Sequence, residues 1–169
     1  MQKAQAFRAP EAQAVGGLSP ALLKAALDSP QFEVYTSRLP IYAAIIFNQG
    51  AASRLPFFQD AAVRQALILG LDREGMIAQV LPRVAIPATS TVLPGTWAYN
   101  NALEPIPYDT AAAAQRLDGA GWVLDGSMRA KEGTRLAFSL LVTNQDADRR
   151  VGQAIVDEWR ALGVDVSLK

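Results

Sequence analysis

The strongest constraint on the fold is a strand–helix–strand pattern at the end of the chain. Residues 135–143 alternate in polarity as a strand does, and one side carries Leu136, Phe138, Leu140 and Val142. A helix is predicted next, because apolar side chains recur at helical spacing at Val151, Ala154, Ile155, Trp159 and Leu162. Gly163 suits the end of that helix, and residues 164–168 alternate again. This order predicts a right-handed βαβ crossover with two parallel strands.

The other helices are predicted from side chains that cap helix N-termini. An Asp or Ser at this position accepts a hydrogen bond from one of the first free backbone N–H groups, which contributes about 1 kcal/mol to the helix. The four candidate caps are Ser19, Asp60, Asp72 and Asp109. The first of these helices begins at Pro20 and runs to about Leu27. The helix after Asp60 has the clearest apolar face, formed by Val63, Ala66, Leu67 and Leu71.

Two strands are predicted in the first third of the chain. Residues 31–37 place apolar side chains among polar ones, whereas residues 41–48 are nearly all apolar and rich in β-prone types. A run as short as 41–48 is typical of a strand that is buried on both faces of a sheet. Turns are predicted at Asp125-Gly126 and at Gly133. These elements together predict an α/β or mixed α+β class.

One long segment has no regular pattern. Residues 81–107 contain five of the ten prolines, together with Gly95, Trp97 and Tyr99. An irregular segment of this length in a compact domain usually has a function or wraps a surface. Tryptophan and tyrosine offer broad contacts, so the segment is a candidate for binding.

The composition excludes several classes of function. The chain has 16 Lys and Arg residues against 16 Asp and Glu residues, and no basic stripe of the kind that binds nucleic acid. It contains no histidine and no cysteine, which removes Ser–His–Asp and Cys–His catalysis and the commonest ligands of zinc and haem. Asp60, Asp72 and Glu74 lie close in sequence, but carboxylates are expected at helix starts without catalysis. Composition leaves open catalysis by Asp, Glu, Lys or Tyr and an oxygen-ligated Mg²⁺ or Ca²⁺. Because no catalytic constellation is visible, we expect no catalytic residue, no metal site and no cofactor.

The sequence shows neither an export signal nor a membrane span. Residues 1–20 lack a basic start followed by an apolar run, so we expect no signal peptide in this chain. No stretch offers the ~20 consecutive apolar residues of a membrane helix. A soluble chain is expected, and a segment cut from a longer exported protein would show the same pattern.

Two segments resemble the signatures of one protein family. Phe47-Asn48 and the stretch DAAVRQALILGLDRE at residues 60–74 are similar to the "FN … D..VRQAL..AIDRE" pattern of the family 5 solute-binding proteins of ABC transporters. A second pattern of that family, "YD…A…L..AGW", is matched by Tyr108-Asp109, Ala114, Leu117 and Ala120-Gly121-Trp122. The similarity runs in order from about Gly17 to Lys169.

The resemblance implies one lobe of a type II periplasmic-binding-protein-like fold, with a mixed sheet flanked by helices and a C-terminal βαβ unit. It assigns residues 1–30 to an N-terminal arm and short helix from the inter-lobe region, and residues 31–169 to a partial α/β lobe. Members of the family are much longer and enclose their ligand between two lobes. We therefore expect this chain to be a fragment.

The function implied by the resemblance is capture of a peptide or similar solute outside the membrane, for delivery to an ABC permease through the full-length parent, without catalysis. The location implied is extracytoplasmic. Two alternatives remain open, namely a ligand-sensing domain of a transcription regulator and a scaffold fragment that no longer binds. Since an isolated lobe exposes the apolar face that meets its partner, self-association is also expected.

Four residues are candidates for ligand binding. Asn48 and Asn144 follow predicted strands, and ligand sites in α/β sheets favour the carboxyl ends of strands. Trp97 and Tyr99 lie in the irregular segment. Turn formation or packing is the competing interpretation for each of them. For Arg64 we predict an ion pair or a carbonyl partner, and for Trp122 and Trp159 a place in the core.

Overall fold

The computed structural model describes residues 14–35, 41–50, 55–81 and 85–169, in two compact units, Met1–Ile41 and Tyr42–Lys169. In the first unit, helix α1 spans Pro20–Leu27, and the Ser19 hydroxyl accepts from the Leu22 N–H at 3.4 Å. The predicted start and cap of this helix are confirmed. The predicted strand at 31–37 is wrong over residues 31–35, which are a turn and irregular backbone; residues 36 and 37 lie outside the described residues. The inter-lobe assignment of residues 1–30 stays a prediction.

The second unit combines helices with two small sheets, which confirms the predicted mixed α/β class. After a 3₁₀ helix at Pro56–Gln59, its helices are α2 (Ala61–Leu69), α3 (Arg73–Val80), α4 (Thr110–Gly119) and α5 (Asp146–Ala161). Its strands are β1 (Val123–Asp125), β2 (Met128–Lys131), β3 (Thr134–Arg135), β4 (Ala137–Leu140) and β5 (Asp165–Leu168). The predicted caps are confirmed, because the carboxylates of Asp60, Asp72 and Asp109 each accept a backbone N–H of the following turn at 2.8 Å.

The C-terminal βαβ element pairs β4 with β5 in parallel and connects them through α5, as predicted. Phe138 lies opposite Val166, and Ser139 opposite Ser167. Helix α5 lies directly against this pair at Gly152, where an added Cβ atom would come within 2.7 Å of the Leu168 side chain of β5. The absence of a side chain at Gly152 is therefore what permits the close approach of helix and strand.

The antiparallel pairings form a separate sheet in the order β1-β2-β3. The turns predicted at Gly126 and Gly133 are confirmed, and both glycines have positive φ, at 65° and 75°. The predicted strand at 135–143 ends early, because residues 141–143 lie beyond β4 without strand structure, and it is divided between the two sheets at Leu136. Its N–H donates to the Arg129 carbonyl and its own carbonyl accepts from the Asp165 N–H, both at 2.9 Å. Leu136 thereby joins the sheets.

The core lies between the helices and the β4–β5 pair. Its fully buried side chains are Trp159, Leu67, Leu117, Leu136, Val63, Val156, Val164 and Val166. Trp122 is also buried. Its backbone N–H donates to the Leu117 carbonyl at 2.8 Å, and this bond turns the chain at Trp122 back onto α4. The core positions predicted for both tryptophans are confirmed. Arg64 finds carbonyl partners as predicted, since its Nη1 donates to Phe58 and Gln59 at 2.6 and 2.9 Å.

The buried strand predicted at 41–48 is wrong. The segment is irregular, with Tyr42 47% and Ile46 90% exposed, while Ile45 and Phe47 are partly buried against the core. Among the described residues, none forms a backbone hydrogen bond with residues 42–47. A β-prone sequence becomes a strand only when a neighbouring strand meets its N–H and C=O groups, and the described chain supplies none here.

Candidate functional site

Asn48 and Asn144 are both exposed, and both make local hydrogen bonds. The Asn48 Oδ1 accepts from the Gly50 N–H at 3.0 Å, which makes a turn after the irregular segment. Asn144 precedes α5, and its Oδ1 accepts from the Arg149 Nη1 at 3.4 Å. Among the described residues, no hydrogen bond or ring contact joins either side chain to Trp97 or Tyr99. The structure therefore does not bring the four predicted residues into one hydrogen-bonded cluster.

Trp97 and Tyr99 lie in residues 85–108, a segment without helix or strand that we name the arch. Its tip turns at Gly95, where φ is +89°, and the Tyr99 N–H donates to the Thr96 carbonyl at 3.2 Å. The Tyr99 hydroxyl lies 3.2 Å from the Thr89 hydroxyl across the arch, whereas the Trp97 side chain is fully exposed. The two aromatic residues therefore differ, because Tyr99 ties the arch together and Trp97 projects from it.

The arch exposes more apolar surface than Trp97 alone. Large side chains that are at least one-third exposed in the arch are those of Ile86, Val92, Trp97, Leu103, Ile106 and Tyr108. Single exposed apolar residues are normal on a protein surface, but a concentration of them in one segment marks an interaction site. The arch is thus one part of the described chain that is suited to contact an apolar ligand or partner; residues 41–46, where Ile41, Tyr42 and Ile46 are exposed, are another.

Arg73 contacts the arch, and the sequence did not predict this contact. It is the first residue of α3, and its guanidinium reaches the arch at two points. Nη1 donates to the Ala88 carbonyl at 3.1 Å, and Nη2 donates to the Ile106 carbonyl at 2.6 Å. The sequence shows Arg73 only as part of the family motif, since carbonyl partners 15 and 33 residues away leave no local pattern.

A carboxylate of α5 accepts a hydrogen bond from the residue that caps α3. Glu158 of α5 is half-buried, and its Oε2 accepts from the Asp72 N–H at 2.9 Å. Burial raises the pKa of the Glu158 carboxyl and the Asp72 charge raises it further, while the hydrogen bond from Asp72 lowers it. The folded chain therefore holds the Glu158 proton more tightly than the unfolded chain.

Replacing Glu158 with glutamine is expected to remove part of the pH dependence of stability. Because the Glu158 pKa is raised on folding, its stabilising contribution is complete below the unfolded pKa and is lost as the pH rises through the folded pKa. Glutamine keeps an oxygen for the Asp72 N–H but does not titrate. In urea unfolding between about pH 4 and 7, the free energy of unfolding of Glu158→Gln should rise relative to that of wild type as the pH rises. The exposed Glu104→Gln variant is the control; equal pH slopes for E158Q and wild type would contradict the assignment.

Two further observations concern the described residues only. No group of three or more acidic side chains lies close enough there to hold a metal ion. No helix in the same ranges has the length and apolar character needed to cross a membrane.

Comparisons with known proteins match the chain to one family. The family described as "Bacterial extracellular solute-binding proteins, family 5 Middle" matches residues 1–169. The oligopeptide-binding protein AppA of Bacillus subtilis is 32% identical over an alignment of 120 residues that covers 64% of this chain and 21% of that protein. The nickel-binding periplasmic protein of Escherichia coli is 30% identical over 112 residues, also 64% of this chain and 21% of the other.

A solved structure shares both fold and sequence. The crystal structure of NikA from Brucella suis in complex with Fe(III)-EDTA matches with a TM-score of 0.62 at 33% identity, over 72% of this chain and 24% of that chain. The chain spans about a fifth of the length of the curated relatives it matches. The relatives named here are binding proteins rather than enzymes.

Proposed function

We propose, because the chain belongs to the bacterial extracellular solute-binding proteins of family 5, that it captures a peptide or similar solute outside the cytoplasmic membrane. It acts as part of a longer protein that encloses the solute and delivers it to an ABC permease. No bond is made or broken; the solute shifts an equilibrium between open and closed forms. The oligopeptide-binding relative supports the choice of a peptide.

A binding role without catalysis is supported by the chemistry of the side chains. The sequence has no histidine or cysteine. Of the three carboxylates that lie close in sequence, those of Asp60 and Asp72 cap helices by accepting backbone N–H groups, and Glu74 lies in the first turn of α3. General acid–base catalysis needs a group positioned at a substrate with a matched pKa. We propose that the chain uses no cofactor and binds no nucleic acid, consistent with its balanced charge.

The observation that carries the proposal is the exposed arch. Trp97 offers its whole indole ring to solvent, and an aromatic face can cover many kinds of peptide side chain. Tyr99 supports the same segment through its hydroxyl. Asn48 and Asn144 use their Oδ1 atoms locally, which leaves each amide NH₂ group to donate to a peptide carbonyl. We propose these four residues as ligand contacts, with Trp97 contributing most.

The proposal is tested by capture. The purified chain is incubated with a mixture of trialanine, trileucine, trilysine and triglutamate, separated from free peptide, and analysed by native mass spectrometry. We expect at least one peptide to be retained intact. Retention of none would leave the chain as a scaffold, and recovery of cleaved peptide would show an enzyme.

We also propose that the isolated chain associates with a second copy through residues 42–47. These residues contain no charge and no proline to oppose edge-to-edge pairing, and their backbone groups lack partners among the described residues. In an antiparallel pair about a two-fold axis, Tyr42 lies opposite Ile46 twice, a favourable aromatic–β-branched pairing. Sedimentation velocity should show the average mass rising towards a dimer with concentration; a monomer at every concentration would contradict this proposal.

A further inference from the structure

We propose that Arg73 is the positioning residue of the arch, holding its two ends together so that Trp97 is presented in a fixed place. The role of Trp97 in binding rests on the proposed function, whereas the hold of Arg73 on the arch stands on contacts within this chain. The two can be tested separately.

The geometry of the guanidinium matches this task. Its Nη1 reaches the Ala88 carbonyl and its Nη2 reaches the Ile106 carbonyl, so one side chain bridges the two ends of residues 89–105. The planar fork of arginine carries diverging N–H donors, whereas the single nitrogen of lysine is a compact point donor. Within the described parts of the chain, Arg73 forms no ion pair. Its hydrogen bonds are directed at the arch.

The arch depends on a donor from outside because few hydrogen bonds within it join residues that are far apart in sequence. Prolines have no N–H group, and the arch contains Pro87, Pro94, Pro105 and Pro107. Its backbone hydrogen bonds are short-range turns, such as those from Thr96 to Leu93 and from Leu103 to Asn100. The Thr89–Tyr99 hydroxyl contact links the start of the arch to its middle and leaves residues 100–106 unconnected to that start. Closure at the base therefore falls to Arg73.

The helix turn that carries Arg73 is held in place by hydrogen bonds and by packing in the core. Asp72 caps α3 immediately before it, and the Asp72 N–H is held by Glu158 of α5. Met76, one turn further along α3, is buried in the core. The arch is thus tied to a packed helix rather than to another loop. A loop that is ordered before binding loses less conformational entropy on binding, so Arg73 should raise the affinity without touching the solute.

Hydrogen exchange followed by NMR tests the hold directly and needs no ligand. In the full chain, the Arg73→Met variant should exchange the amides of Thr96, Tyr99 and Leu103 at least about tenfold faster than wild type, because the arch opens more often. The amides of Trp122 and Val164, which are bonded in the core, should be unchanged and so confirm folding. Unchanged exchange in the arch would overturn the proposal.

Two further variants sharpen this test. Arg116→Met removes another helical arginine, whose Nη1 donates to the Gln65 side chain at 2.8 Å and not to the arch. It should leave arch exchange at the wild-type rate, and faster exchange there would overturn the assignment to Arg73. Arg73→Lys should exchange faster than wild type in the arch, because its single nitrogen has to reach both carbonyls from one point, whereas the guanidinium reaches them from two separate nitrogens; full protection in the lysine variant would overturn the need for the two-nitrogen fork.

The consequence for binding is measured by calorimetry, with the tripeptide that wild type retains in the capture experiment as the probe. Arg73→Met should bind it about tenfold more weakly than wild type, with Arg116→Met unaffected. Equal affinities of wild type and Arg73→Met would overturn the link between arch order and recognition. If wild type binds none of the four tripeptides, the proposed function fails, while the exchange rates still decide the role of Arg73.

Discussion

Replacing Arg129 with methionine is expected to lower the free energy of unfolding by about 3–5 kcal/mol at neutral pH. Arg129 of β2 is only 3% exposed. Its Nε donates to the Leu162 carbonyl at 2.7 Å, and its Nη1 donates to the Trp122 carbonyl at 2.6 Å. Methionine fills part of the space but leaves two buried carbonyl groups without these donors, each costing about 1–3 kcal/mol.

The ion pair of Arg129 with Asp118 contributes less to this loss. The two groups approach to 2.5 Å, but the Asp118 side chain is 54% exposed and regains water when the arginine is removed. The effect is measured by urea unfolding followed by circular dichroism. Arg135→Met, an exposed arginine on the adjacent strand β3, is the matched control and should stay within about 0.5 kcal/mol of wild type. A loss below about 1 kcal/mol for Arg129→Met would contradict this account.

Replacing Trp159 with alanine should cost a similar amount, about 3–5 kcal/mol. The Trp159 side chain is completely buried, with its ring centroid 5.5 Å from that of Phe138 in an edge-to-face contact. Alanine leaves a large cavity among side chains from α2, β4 and α5. Trp159→Phe keeps most of the ring contacts and loses the indole N–H, so a loss of about 1–2 kcal/mol is expected.

The indole N–H of Trp159 donates to a carbonyl group at the C-terminal end of α2. The last carbonyl groups of a helix have no partner within the helix. Three of these carbonyl groups in α2 accept hydrogen bonds from separate donors. The Ala66 carbonyl accepts from the Gly70 N–H, the Leu67 carbonyl accepts from the Trp159 indole at 2.8 Å, and the Leu69 carbonyl accepts from the Asp109 N–H at 2.8 Å. Trp159 thus ties α5 to the end of α2 by a polar contact as well as by packing.

Trp97→Ala provides the control for Trp159→Ala, because it deletes the same side chain from a fully exposed position. Its stability should stay within about 0.5 kcal/mol of wild type. Guanidinium unfolding of the three tryptophan variants, followed by far-UV circular dichroism, gives the comparison. Trp159→Ala as stable as Trp97→Ala would mean that α5 does not pack as described.

The C-terminal unit was predictable because its signals are local. The strand alternation, the apolar face of α5 and the turn at Gly163 each appear within a few residues, and the two strands that pair are joined by a single helix. Helix caps were predictable for the same reason, since the accepting side chain and the donating N–H lie two or three residues apart. The division of residues 135–143 at Leu136 and the end of β4 at Leu140 needed the structure.

Residues 31–35 and 41–48 are not strands although their sequences favour strand formation, because local sequence patterns do not report which chain segments lie alongside. β-propensity states that a sequence suits a pleated surface, but a strand exists only where another strand lies alongside. Composition likewise marked the arch as irregular and did not reveal Arg73, whose acceptors at Ala88 and Ile106 meet it only in the folded chain. Arg129 was missed for this reason too, because its partners come from separate elements.

The central claim is that the chain is a solute-binding module whose arch contacts the solute. It is tested most directly by calorimetric titration of wild type and Trp97→Ala with the tripeptide that wild type retains in the capture experiment. Wild type should bind the peptide saturably, and Trp97→Ala, equally stable, should bind it at least about tenfold more weakly. No binding by wild type, or equal affinities for the two proteins, would contradict the claim.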